Sequence, residues 1–154
     1  MRIQISLRDS DDAPKDLEFD VAPTATVSDL ARAVAERLDV EVSEILDALS
    51  IDGVPIDVAQ PVSKHPKLHF RRVCVEVHFE TEAKKRLFAS RARWERVHSW
   101  ACRVFDVAPD LCANLELHLG EPGGPAINEK ERIGEFAGCK VVWLVRPGAE
   151  PNGR

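Results

Sequence analysis

Apolar and polar residues alternate from the first positions of the chain. Ile3, Ile5 and Leu7 alternate with Arg2, Gln4, Ser6 and Arg8, and a period of two predicts a strand with one buried face. After the acidic stretch Asp9 to Pro14, Leu17, Phe19 and Val21 alternate with Asp16, Glu18 and Asp20, so the two segments predict a hairpin. The period then changes. Val27, Leu30, Ala31, Val34, Ala35 and Leu38 recur at helical spacing and form one apolar stripe. Thr26 is the expected N-cap, with Asp29 three positions on as an acidic relative of the capping-box glutamate. Leu49 with Ile51, the Asp52-Gly53 turn and Ile56 suggest two short strands, and Leu68 with Phe70 a last one.

The second half repeats that order. Val73, Val75, Val77 and Phe79 alternate with Cys74, Glu76 and His78; Leu87-Phe88 follows a charged turn; Leu115, Leu117 and Leu119 predict a later strand and residues 141–145 the final one. Adding 67 to each position of the first helix stripe reaches Trp94, Val97, His98, Ala101, Cys102 and Phe105, and both helices run into Asp-Val, Asp39-Val40 and Asp106-Val107. The offset and the shared element order predict an internal repeat with two small cores. Arg93 is a poor N-cap for the second helix, so Ser90 is the alternative start.

Charge divides the chain in the same place. Residues 1–72 hold 9 Lys/Arg against 14 Asp/Glu, whereas residues 73–154 hold 12 of each. A net charge of -5 argues against general nucleic-acid binding, which needs a basic surplus. No run approaches ~18 apolar residues, so no transmembrane helix is predicted. The start MRIQISLRDSDD lacks a signal-peptide pattern, and a cytoplasmic protein is expected. Cys74, Cys102, Cys112 and Cys139 form no CxxC pair. Free structural thiols are expected, with Cys102 a small core residue and Cys74 an outward candidate for reactivity. No metal site, cofactor or catalytic constellation is predicted.

The carriers MRIQISLRD, TVSDLARAVAERLDV and LSIDGVPID, then RARWERVHSWACRVFDV, NLELHL and KERIGEFAGCKVVWLVRPG, resemble tandem ubiquitin-like β-grasp domains, an α+β fold. The expected division is residues 1–71, residues 72–147 and a flexible tail, 148–154, with almost no linker at Arg71-Arg72. Two fused domains of this length are similar to the interferon-induced tandem ubiquitin-like modifier of vertebrates and to its bacterial counterpart, the BilA-type modifier. That resemblance implies a non-enzymatic modifier served by an activating enzyme, a conjugating enzyme and a deconjugating protease. It also implies a role in antiphage defence, with phage structural proteins among the targets. A ubiquitin-like adaptor that is never conjugated is the alternative.

Such chemistry needs a tail ending in glycine, where backbone can approach closely. The tail here has no terminal Gly-Gly. It reads Arg146-Pro147-Gly148-Ala149-Glu150-Pro151-Asn152-Gly153-Arg154; loss of Arg154 exposes Gly153, the favoured conjugation residue, and cleavage after Gly148 is the other choice. Gly123-Gly124 belongs to an internal loop. Trp143, His118 and Val145, with Arg146, are expected on the outer sheet face as a partner-binding patch. Trp100, off the helix stripe, is either a second anchor or covered within the protein. His69, His78 and His118 are read as solvated rather than metal-binding, and Lys84, Lys85, Arg86, Arg91, Arg93 and Arg96 as a solvated basic run.

Overall fold

A computed structural model describes residues 2–9, 12–49, 57, 59–62 and 67–147, without the side chains of 47–49 and 67–69. Strands β1 (Arg2–Asp9) and β2 (Lys15–Asp20) form the expected antiparallel hairpin. Helix α1 (Val27–Leu38) follows, then α2 (Val42–Leu49), β3 (Lys67–Phe79), β4 (Glu82–Ala89), α3 (Trp94–Val104), α4 (Pro109–Ala113), β5 (Glu116–Leu119) and β6 (Cys139–Val145). The result is an α+β fold built on a mixed sheet.

The capping box forms at α1. The Asp29 amide donates to Thr26 Oγ1 at 3.3 Å, and the Thr26 amide donates to Asp29 Oδ2 at 3.0 Å. These bonds hold the Asp29 carboxyl below its ordinary value of 3.8. Arg93 makes no side-chain cap at α3. The amides of Trp94 and Glu95 donate instead to the carbonyls of Glu131 and Glu129, both at 3.0 Å. Ser90 does not start the helix: its amide donates to the Arg71 carbonyl and its carbonyl accepts from Gly134.

Amides 67 apart do the same work at both helices, although the N-terminal acceptors, Gln60 and Glu131, are 71 apart. The amide of Val27 donates to Gln60, and that of Trp94 to Glu131; the amide of Val40 closes onto Ala35, and that of Val107 onto Cys102. Asp39 and Asp106 both take φ 55°, the left-handed geometry that ends a helix and that aspartate tolerates better than most residues. Leu30, Val34, Val97 and Ala101 are buried, as the stripes require.

The expected boundary at residues 71–72 falls inside β3, a continuous strand. Its first part pairs in parallel with β1, through Gln4↔Lys67 to Asp9↔Arg72. Its second part pairs antiparallel with β4 and in parallel with β6. Phe70 is buried, and beyond Arg71-Arg72 so are Val73, Val75 and Val77. Side chains alternate along a strand, so the valines are buried on the face opposite to Phe70, while Cys74 on the other face is buried as well. The sheet is nevertheless one hydrogen-bonded sheet. Its buried apolar residues are linked in a single cluster of contacts.

Two helices depart from the pattern reading. Leu49, assigned to a strand, ends α2, whose Ile45 is buried. Val42, Ile45, Leu46 and Leu49 carry a helical period that the following Asp-Gly turn had obscured. Helix α4 opens with Pro109 at its first turn, where a missing amide costs no hydrogen bond. Ile51, Gly53 and Ile56 lie outside the described residues.

Candidate functional site

The outer face of the second half carries a row of three rings. His78 on β3 and His118 on β5 both lie directly opposite Trp143 on β6. The His78 and Trp143 rings stack with centroids 4.7 Å apart. Trp143 is half-buried between the buried Val142 and Leu144, as the alternation requires. Each histidine also meets a glutamate two residues earlier: His78 Nε2 lies 2.9 Å from Glu76 and His118 Nε2 lies 2.7 Å from Glu116.

His118 is not solvated. It is 6% exposed, because the chain after β5 returns alongside it, forming a bridge with Ala126 and donating the Ile127 amide to the Leu117 carbonyl. His118 Nδ1 is buried without a hydrogen-bond partner among the described residues. His78, read only as solvated, belongs to the same row; the signal was its place two residues beyond Glu76 on a strand facing β6, but pairing was needed to see it. The side chain of His69 is outside the described set.

At the end of β6 a cleft of about 350 Å³ opens between Phe79, Leu111, Pro122, Trp143 and Arg146. Trp143 therefore belongs both to the ring row and to the cleft wall. Val145 lines the same cleft and is opposite Glu116; Arg146 and Pro147 are exposed. Gly148, Gly153 and Arg154 lie outside the described residues. Trp100 stands apart from this face. It is half-buried, with its ring edge-on to the buried Phe88 at 5.4 Å, so it packs against the core.

The cysteines are paired, not free. Cys74 and Cys139, register partners on β3 and β6, form one disulfide, and Cys102 on α3 and Cys112 on α4 form the other. Cys74 is buried, which removes it as a reactive thiol. Sequence spacing concealed the first pair because only the parallel register brings residues 65 apart together. Beside the second, both carboxylate oxygens of Glu129 lie 2.7 Å from His98 Nδ1, and the Cys112 carbonyl lies 2.8 Å from Nε2. Both ring nitrogens thus face acceptors, and the bond to Glu129 raises the His98 pKa above its ordinary 6.5 against the opposing effect of burial.

Two members of the basic run, Arg86 and Lys84, are engaged within the fold. Arg86 donates to Glu44 at 2.7 Å, and Lys84 reaches the Val104 carbonyl at 3.3 Å. No helix among the described residues is long and apolar enough to cross a membrane.

Residues 74–144 match the family model described as BilA ubiquitin-like domain 2. The second half is similar to a BilA-type ubiquitin-like domain. The matched stretch takes in the ring row, both disulfides and α3, α4 and β5. No curated protein matches the chain.

Proposed function

We propose that this chain is a tandem ubiquitin-like protein modifier of the BilA type. On this reading Arg154 is removed, and the carboxyl of Gly153 is activated as an acyl-adenylate, passed to a thiol and joined to a target amine. The observation that carries it is the position of the Trp143 face. An aromatic row and an apolar cleft adjoin Arg146, the residue from which the chain leads to Gly153 within a few residues. A partner gripping that face would hold the tail beside its own active site.

The tandem arrangement is supported by the equivalent helix-end bonds from amides 67 apart and by the BilA-type match in the second half. The partners on this reading are an activating enzyme, a conjugating enzyme and a deconjugating protease, working in the cytoplasm, with phage structural proteins as targets. The chain itself performs no catalysis. Glycine at the acyl position leaves the carbonyl open to a thiol and then an amine.

Mass spectrometry of the full chain expressed with its cognate enzymes tests the reading. The expected result is a matured chain ending at Gly153 and branched peptides on target lysines, both abolished by Gly153→Phe. A chain that stays whole to Arg154 and forms no adducts with active enzymes would favour the non-conjugated adaptor; maturation to Gly148 would move the conjugation residue there.

A further inference from the structure

We infer that reduction of the Cys102–Cys112 disulfide converts this end of the molecule into a binding site for a zinc-like divalent cation, with His98, Cys102 and Cys112 as ligands. Donor atoms of the three residues lie within 4.8 Å of one another. In a tetrahedral site with metal–sulfur bonds near 2.3 Å, two thiolate sulfurs stand roughly 3.8 Å apart. Opening the disulfide lets the two side chains separate toward that distance without moving α3 and α4 far. His98 and Cys102 are one helical turn apart on the same helix, so α3 aims both at one point. Cys112 comes from α4 on the other side.

The surroundings fit a metal as well as the ligands do. Glu129 bonds His98 Nδ1, the arrangement by which a carboxylate orients a ligating imidazole and leaves Nε2 for the ion. His98 Nε2 would exchange its bond to the Cys112 carbonyl for the metal. A cavity of about 450 Å³, lined by His98, Cys102, Cys112, Glu129, Glu95 and Pro109, gives the ion an entry path and room for a solvent molecule as fourth ligand. Two sulfurs and one imidazole select zinc over the hard cations magnesium and calcium.

A reducing compartment keeps protein thiols open. A dithiol reductant delivers two electrons and two protons to the Cys102–Cys112 bond and itself closes to a disulfide. The cation then binds both Sγ atoms as the two thiol protons leave to solvent. The cross-link between α3 and α4 is thereby kept in either redox state, as a disulfide or through the metal.

The test uses the full chain, reduced with dithiothreitol, freed of it without air and titrated with Co²⁺ as a spectroscopic probe. The expected result is a single equivalent of tetrahedral cobalt with sulfur-to-metal charge transfer, displaced by Zn²⁺ and absent from the oxidised chain. Cys112→Ser should lose the charge-transfer band. Glu129→Gln should weaken binding by about 10–100-fold, and the double variant Cys74→Ser with Cys139→Ser should bind as the parent does. A reduced parent that binds no cobalt, or a Cys112→Ser chain that binds like the parent, overturns the site. Alkylation of the reduced parent gives an answer independent of variant folding: Zn²⁺ should shield Cys102 and Cys112 from iodoacetamide, and equal labelling with and without the ion would refute the proposal.

Discussion

The Glu44 carboxylate on α2 lies 2.7 Å from the Arg86 guanidinium on β4, with Glu44 almost fully buried. Arg86 also lies over the Phe88 ring, so the pair is held where water has limited access. The same sense of pairing recurs. Asp9 meets Arg72 through two bonds of 2.6 and 2.7 Å, and Glu41 meets Arg103 at 2.7 Å. In the Glu44 and Glu41 pairs an acid of the first half meets an arginine of the second. The acidic surplus of the first half is thus partly answered across the molecule.

Removing Arg86 should leave a buried carboxylate without its partner. Arg86→Ala is expected to destabilise the fold by about 3 kcal/mol, measured by urea unfolding at neutral pH. The double change Glu44→Leu with Arg86→Met should recover most of that loss, since it removes both charges together. A single variant as stable as the parent would show that α2 does not rely on the pair.

The α1 cap gives a second expectation. Thr26→Ala should cost about 1 kcal/mol. Because the folded pKa of Asp29 is lowered, its contribution is fully present above the ordinary value of 3.8 and is lost as pH falls through the folded value. The stability gap between the parent and Asp29→Asn should therefore narrow as pH drops below 3.8. A gap that widens there would mean that the cap bonds do not favour the ionised form.

Gly124 marks a close approach of backbone to backbone. A Cβ built there would stand 1.9 Å from the Leu119 carbonyl oxygen, which is no place for a flexible neighbour to yield. Gly124→Ala should lower stability by roughly 1–3 kcal/mol and loosen the loop that covers His118. Increased amide exchange at Ile127 would report it; unchanged melting would place the loop elsewhere.

Trp143 should separate stability from recognition. Loss of its stacking on His78 should cost on the order of 1 kcal/mol while leaving the fold intact. On the modifier reading, affinity for the cognate activating enzyme should fall by roughly 2 kcal/mol, as for a central aromatic anchor. Calorimetry of the Trp143→Ala chain with that enzyme checks it, and undiminished binding would remove Trp143 from the contact face.

Much of the architecture was legible because its causes are local. Strand alternation, the two helix stripes, the Thr26 cap and the Asp-Val helix ends depend on residues within a turn or two of each other. Their offset of 67 carried over into equivalent hydrogen bonds at both helices. The α2 helix was missed although its period was present, because the Asp52-Gly53 turn drew Leu49 into a strand.

The outward direction of Trp143 was likewise written in the alternation around it, as was the change of apolar phase between Phe70 and Val73. What that phase change meant was decided only when β3 proved continuous, with Phe70 and the valines buried on opposite faces of one strand. Alternation sets direction but not cover, so His118 could be placed outward and still be buried by the chain beyond β5. Parallel register joined Cys74 to Cys139, and helix packing joined Cys102 to Cys112 beside His98 and Glu129. Periodicity fixes which way a side chain points from its own backbone; which distant side chain meets it is set by pairing and packing, on which local spacing carries no information.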